Sequence, residues 1–194
     1  MGTSRPTRFL TGMEPAKHFK FCPRCGHQRS KGVGTSPLRC GACGFLYYFN
    51  PTIAVAGFIF APDGRALFIR RAKEPAKGKL AVPGGFVDVG ESAEEALRRE
   101  TREEVNVELA DLSYLCSHVN SYDYGGVTYP VLDLFFTALA VQTNEAKALD
   151  GVESIQWLDP QAVNLDEMAF TSIRSALGFL RKSGKPDVSR RQNS

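Results

Sequence analysis

The apolar run Ile53-Ala54-Val55-Ala56-Gly57-Phe58-Ile59-Phe60 predicts a strand, and Pro62-Asp63-Gly64 after it predicts a turn. Ala66 to Arg71 then reads as the returning strand of a hairpin. Strand-like residues fill Val107 to Tyr122, Gly125-Gly126 turns the chain, and Val127 to Ala140 is a second long apolar-rich region. Ile155-Gln156-Trp157-Leu158 predicts a short late strand. Two segments follow helical spacing instead. Leu97, Thr101 and Val105 recur every four residues, and Ile173, Ala176, Leu177 and Leu180 keep the i, i+3, i+4, i+7 rule of an amphipathic helix. Strands on both sides of a central helix, closed by another helix, predict an α+β sandwich.

The central helix carries its own start and stop signals. Ser92 with Glu95 three residues on forms a capping box, and Asn106 stands where a left-handed residue closes a helix. Beside the apolar stripe runs a charged one. Glu100, Glu103 and Glu104 stand at i, i+3 and i+4, so one helix face carries three carboxylates. Like charges so placed repel unless a cation neutralises them. A solvated helix whose Glu and Arg residues pair with one another is the plainer reading. The Pro83-Gly84-Gly85 entry, expected to turn sharply and aim its carbonyls at the same cation, favours a metal site. Oxygen ligands suit Mg2+, which keeps several waters and takes phosphate oxygens, so the pattern points to phosphate chemistry.

Cys22-Pro23-Arg24-Cys25 and Cys40-Gly41-Ala42-Cys43 are two C-x2-C pairs separated by 14 residues. That spacing suits a tetrahedral four-thiolate Zn2+ site with no open position, hence a structural one. Gly26 and Gly44, each just after its second Cys, suit the tight turns of paired knuckles. Disulfides are the competing reading, but the chain shows no secretory signal, and a cytoplasmic location is expected. Cys116, in an apolar stretch, reads as a buried thiol.

Composition narrows the rest. Hydrophobic residues make up 43% of 194, which is normal for a globular protein, and no stretch is long enough to cross a bilayer. The net charge of +3 is weak and comes partly from the tails, so nucleic acid is not an expected partner. The expected organisation is an N-terminal arm over 1–18, a zinc ribbon over 19–48, a catalytic domain over 49–181 and a disordered basic tail over 182–194. The tail's basic, polar character begins at Arg181.

The segment Gly85 to Val107 resembles the Nudix box, G-x5-E-x7-R-E-U-x-E-E-x-G-U with U aliphatic. Gly85, Glu91, Arg99, Glu100, Glu103, Glu104 and Val107 meet it, while Thr101 replaces an aliphatic residue and Asn106 replaces Gly. The resemblance implies a mixed sheet between helices in an α/β/α sandwich. It also implies hydrolysis of a nucleoside-linked diphosphate with Mg2+ or Mn2+. Carried over by position, Glu100 and Glu104 look like the principal metal ligands, helped by the Gly84 carbonyl. Glu103 looks like a further ligand or the general base, and Arg99 with Glu91 like an orienting ion pair.

A zinc ribbon ahead of such a domain is similar to the NADH pyrophosphatases, but their S-Q-P-W-P-F-P-x-S motif has no counterpart in Ser117 to Tyr124. The chain more closely resembles a set of zinc-ribbon Nudix proteins that includes plant chloroplast FAD and ADP-ribose pyrophosphatases. Tyr48-Phe49-Asn50-Pro51, Val152 to Ile155 and Leu165 to Ile173 share that likeness. The expected substrate is therefore an ADP-containing dinucleotide or nucleotide sugar: FAD, ADP-ribose or NAD(H). These relatives also suggest a homodimer.

For substrate contact the candidates are Arg70 and Arg71, alternating at a strand end, and Tyr124, which with Tyr122 and Tyr129 flanks Gly125-Gly126 and could stack on a base. Surface charge and hairpin packing are the plainer readings. Phe170 reads as core or pocket lining, and His118 as an acid or base without a visible partner. The competing function is an RNA-related member, decapping or RNA-binding, with the ribbon as its nucleic-acid contact.

Overall fold

A computed structural model of the chain describes residues 15–29 and 37–183. Their backbone falls into two units. One gathers the residues up to Thr52 with Ser121–Val131, and the other Ile53–Asn120 with the chain from Leu132 onward.

In the first unit, α1 (Pro15–His18) precedes two short antiparallel strands, β1 (Leu38–Arg39) and β2 (Leu46–Tyr47), with Leu38 opposite Tyr47. Among the described residues of this unit Ala16, Cys22, Leu38, Cys40 and Val131 are the buried apolar ones, a small core. Residues 15–18, expected within the arm, are thus helical, and Arg29 Nη1 donates to the carbonyls of Ala16 (3.0 Å) and Phe19 (2.9 Å). Residues 1–14 of that arm lie outside the described residues.

The second unit carries most of a mixed sheet of seven strands: β3 (Thr52–Phe60), β4 (Ala66–Arg71), β5 (Leu80–Ala81), β6 (Gly84–Phe86), β7 (Leu109–Tyr124), β8 (Val127–Ala140) and β9 (Val152–Leu158). The order is β5-β4-β3-β8-β7, with β6 paired to β3 and β9 to β4, both antiparallel. A two-residue turn at Gly125-Gly126 joins β7 to β8, a link that only antiparallel neighbours can make. Two helices complete the α+β class expected from the sequence: α2 (Ala93–Val105) and α3 (Thr171–Ser183).

The packing explains the patterning. Ala96, Leu97, Thr101 and Val105 are the buried stripe of α2, and Leu97 lies so close to β3 that a Cβ on Gly57 would sit 3.1 Å from its Cδ2. Ile173, Ala176, Leu177 and Leu180 form the corresponding stripe of α3. Phe58 meets Phe68 edge-on at 6.5 Å and stacks on Phe135 at 6.3 Å, giving the core its largest side chains.

Two expectations change. Gly84-Gly85 does not turn; it enters β6, with Gly84 opposite Ala56 and Gly85 opposite Val55. The glycines serve close approach: a Cβ on Gly84 would lie 2.1 Å from the Val55 carbonyl oxygen. The basic tail also starts later. Arg181, Lys182 and Ser183 belong to α3, because the Arg181 guanidinium donates to the carbonyls of Pro160 (2.8 Å) and Val163 (2.5 Å). Residues 184–194 lie outside the described residues.

Candidate active site

Helix α2 delivers the carboxylates, and both of its ends are held. At the start, Ser92 Oγ accepts from Glu95 N–H (3.2 Å) while the Glu95 carboxylate accepts from Ser92 N–H (2.8 Å). At the end, Asn106 takes the left-handed conformation (φ 55°). The carbonyls of Glu104 and Val105 accept from the backbone N–H groups of Leu149 (2.9 Å) and Lys147 (3.1 Å). This anchoring of the last turn, which holds Glu104 in place, comes from a segment more than 40 residues downstream and had no local signal.

Arg99 organises the near side. Its guanidinium donates to Glu91 (2.7 and 3.2 Å), Glu100 (2.8 Å), Glu103 (3.3 Å) and the Phe86 carbonyl (3.1 Å), and lies 3.9 Å from Asp88. The Arg99–Glu91 pair implied by the resemblance is present, and Arg99 holds Glu91 below the usual carboxylate range. Asp88 was not expected; its N–H donates to Glu91 (2.8 Å), closing the loop that precedes the helix.

Glu100 and Glu104 face the β3–β6 edge. Glu104 Oε2 accepts from Gly84 N–H at 3.0 Å. The Glu100 carboxylate occupies the space a Cβ on Gly85 would need. Withdrawal from water pushes the Glu104 carboxyl up to about 8, and Glu100 adds to the rise. Burial also raises Glu100, against the pull of Arg99. Glu103 is the most exposed of the three, and Arg99 is its ion-pair partner. The three carboxylates thus share one helix face without closing into a cage. Two half-buried carboxylates whose charged forms are disfavoured by burial are a donor set that a hard divalent cation would complete.

The substrate candidates separate. Arg71 lies over the Phe170 ring at 5.2 Å, donates to the Pro75 carbonyl (2.9 Å) and is close enough to stabilise the Glu104 anion. Arg70 turns away to the Gly78 carbonyl (2.6 Å) and Glu167 (3.8 Å). Tyr124 is exposed and belongs to the other unit. His118 packs against Phe135 at 6.1 Å, leaves its Nε2 buried without a hydrogen-bond partner and acts electrostatically on Asp133.

The four ribbon thiols converge. Cys22 and Cys43 sulfurs are 3.8 Å apart, Cys25 and Cys40 3.7 Å, and all four lie within 4.8 Å of one another. A disulfide needs about 2.05 Å, whereas tetrahedral zinc with bonds of about 2.3 Å spaces its sulfurs at about 3.8 Å. The two knuckles match: Gly26 N–H donates to Cys22 O (2.9 Å) and Gly44 N–H to Cys40 O (3.0 Å), both glycines at positive φ. The N–H groups of Cys43 and Ala42 lower the Cys40 thiol, while the neighbouring thiols raise Cys25 against the pull of the His27 N–H.

The NUDIX domain model matches residues 50–176, well over half of the chain and the whole carboxylate site. The chain belongs to the NUDIX family. It is 33% identical over 137 residues to the ADP-ribose pyrophosphatase of Methanocaldococcus jannaschii, covering 71% of this chain and 78% of that one. It is 29% identical over 148 residues to the NAD-capped RNA hydrolase NudC of Pseudomonas aeruginosa, covering 76% of this chain and spanning half the length of that relative. A NUDIX hydrolase structure from Nitrosomonas europaea has the same fold, with a TM-score of 0.64, 23% identity and coverage of 86% and 94% of the two chains.

Proposed function

We propose that this NUDIX protein is a divalent-cation-dependent pyrophosphohydrolase that cleaves the diphosphate of an ADP-containing dinucleotide or nucleotide sugar and releases AMP. The carrying observation is the half-buried Glu104, hydrogen-bonded to Gly84 N–H and raised to about 8 next to Glu100. Such an arrangement costs stability unless a cation offsets it. Glu100, Glu104 and the Gly84 carbonyl would hold Mg2+ or Mn2+, with Glu103 as a further ligand or the general base. When bound, the cation lowers the pKa of the attacking water and neutralises charge on the diphosphate. Arg99 and Glu91 keep the loop against the helix and act by positioning. Arg71 is better placed than Arg70 to meet a substrate phosphate, because its charge is close enough to favour the Glu104 anion. The M. jannaschii relative, named for ADP-ribose, supports the nucleotide-sugar reading. The NudC relative makes NAD(H) and capped RNA necessary comparisons.

A Mg2+-dependent panel with ADP-ribose, FAD, NADH, NAD+, nucleoside triphosphates and NAD-capped RNA tests this. AMP release from one dinucleotide, abolished in Glu104→Gln, is expected. A silent panel with the folded, zinc-loaded protein would sink the reading.

The thiol cluster fits Zn2+ by its sulfur spacing, and four thiolates leave no open position, so the ion is structural. About one zinc per chain is expected by elemental analysis, retained when Mg2+ is removed. Two disulfides and no zinc would overturn it. A reducing, cytoplasmic setting and a homodimer complete the proposal; among the described residues no helix is long and apolar enough to cross a membrane.

A further inference from the structure

Asp133, on β8, is a buried acid that the proposed chemistry does not use; it is only 8% exposed. Its Oδ2 accepts from Asn120 Nδ2 on the neighbouring strand β7 at 2.9 Å. Burial pushes its carboxyl above the usual range, while Ser172, Asn120 and His118 pull the other way. His118 lies two residues before Asn120 and so on the same face of β7. Two buried atoms in this group lack a hydrogen bond of ordinary geometry, Ser172 Oγ and His118 Nε2. Leaving such groups unpaired is costly, and a carboxylate that already accepts one bond keeps lone pairs for both. All four residues belong to the second unit.

Ser172 marks what the cluster acts on. It is the second residue of α3 and is buried. The Phe170 carbonyl accepts the first bond of that helix, from Arg174 N–H (3.2 Å), which puts Phe170 at the cap. A phenyl ring offers no oxygen to the free N–H groups there, and the first turn of α3 holds no acidic residue of its own. Asp133, meeting Ser172 from β8, brings the negative charge that this helix start lacks. Just upstream, Ala169 N–H donates to the Leu80 carbonyl of β5 (2.7 Å). Phe170 is thus held between two anchors, one on β5 and one on β8. Its ring carries the Arg71 guanidinium at 5.2 Å, and the Arg71 charge reaches Glu104. A continuous line of contacts therefore runs from Asp133 to the carboxylate face of α2.

We propose that Asp133 is a positioning residue: it holds the first turn of α3 through Ser172, and thereby keeps Phe170 under Arg71 and Arg71 beside the cation site. Only its effect on turnover rests on the hydrolase reading of that site. The test uses the full chain, zinc content verified, as parent, Asp133→Ala, Arg71→Gln and the double variant. The Arg71 Nε–H resonance, assigned by its loss in Arg71→Gln, is read by heteronuclear NMR without substrate, and it carries the ring-current shift of a group over an aromatic face. Asp133→Ala should move it to the position of a solvated arginine. With the preferred diphosphate, Asp133→Ala should lower kcat/KM by up to about 100-fold, the cost of a contact displaced from a distance. In the Arg71→Gln background it should lower kcat/KM no further, because the two residues act through one contact. An unmoved Arg71 resonance, or the full loss repeated in the Arg71→Gln background, overturns the proposal; the second result is what general damage to the fold produces. If Asp133→Ala does not fold, Ser172→Ala cuts the same link by removing a single hydroxyl and is judged by the same two readings. A silent substrate panel sinks the hydrolase reading and leaves the NMR result standing, so the two failures are told apart.

Discussion

Gly85 has no side chain where Glu100 has its carboxylate: a Cβ added to Gly85 would lie 2.4 Å from Glu100 Oε1. Gly84, one residue earlier, would instead drive its Cβ into backbone, 2.1 Å from Val55 O and 2.7 Å from the Ala56 Cα. The two glycines therefore predict different failures. In Gly85→Ala the obstacle is the far end of a flexible side chain, so Glu100 moves and the fold survives. Turnover should fall at least about 100-fold, the scale of a lost transition-state contact, with Tm changed by only a few degrees. Gly84→Ala meets rigid backbone and should lose several kcal/mol, by the usual cost of overpacking plus strain at φ 151°. Thermal melts beside initial rates separate the two. Equal damage to Tm in both variants would contradict this assignment.

Arg99 holds four carboxylate or carbonyl partners that a lysine could not hold together. A point charge on a flexible stem cannot reproduce the fork that spans Glu91, Glu100 and the Phe86 carbonyl. Arg99→Lys should lower kcat about 10- to 100-fold, the loss typical when a group supporting metal ligands is removed. It should also raise the Mg2+ concentration needed for half-maximal rate. Unchanged Mg2+ dependence would mean that Arg99 does not position the ligands.

Thr101 takes an aliphatic position of the box and pays for its hydroxyl. The residue is fully buried, and its Oγ1 lacks a hydrogen-bond partner. Thr101→Val replaces the hydroxyl by a methyl of similar shape and removes the desolvation penalty, roughly 1–3 kcal/mol. Chemical denaturation should show a higher midpoint with the slope unchanged, and turnover should be unaffected. A destabilised valine variant would mean that the hydroxyl is satisfied in solution.

What was legible in the chain was local or strictly periodic. The capping box at Ser92, the left-handed Asn106, the carboxylate face and the paired knuckles all depend on residues a few positions apart, and the structure has each of them. The elements that were not legible depend on distant partners. Pro83-Gly84-Gly85 reads as a turn until β3 lies beside it, and nothing near Lys147 or Leu149 announces that their N–H groups close α2. Arg181 reads as tail because its partners, the Pro160 and Val163 carbonyls, lie some 20 residues away. The grouping of Ser121–Val131 with the ribbon has the same origin.

The Glu104 carboxyl should make the metal-free protein lose stability as pH rises. Its folded value is about 8, while the unfolded chain ionises near the ordinary 4.5. Between these limits the folded state keeps a proton that the unfolded state has released, so the unfolding free energy falls with pH. The stabilisation is complete below about 4.5 and is lost as pH passes through about 8. The raised Glu100 acts in the same direction, whereas Glu91, held low by Arg99, contributes in the opposite sense and only at more acidic pH. Melts without divalent cation should therefore show Tm falling from pH 5 to 8.5, and Mg2+ should restore it most at the alkaline end. Glu104→Gln should flatten the slope and raise the metal-free Tm at pH 8 by at least about 3 °C, the shift that ~1 kcal/mol produces in a chain of this size. It should do so while abolishing turnover, since the neutral amide removes both the penalty and the proposed cation ligand. A glutamine variant that melts lower than the parent at pH 8 without metal would show that Glu104 is an ordinary surface-like carboxylate and remove the basis for its role at the cation.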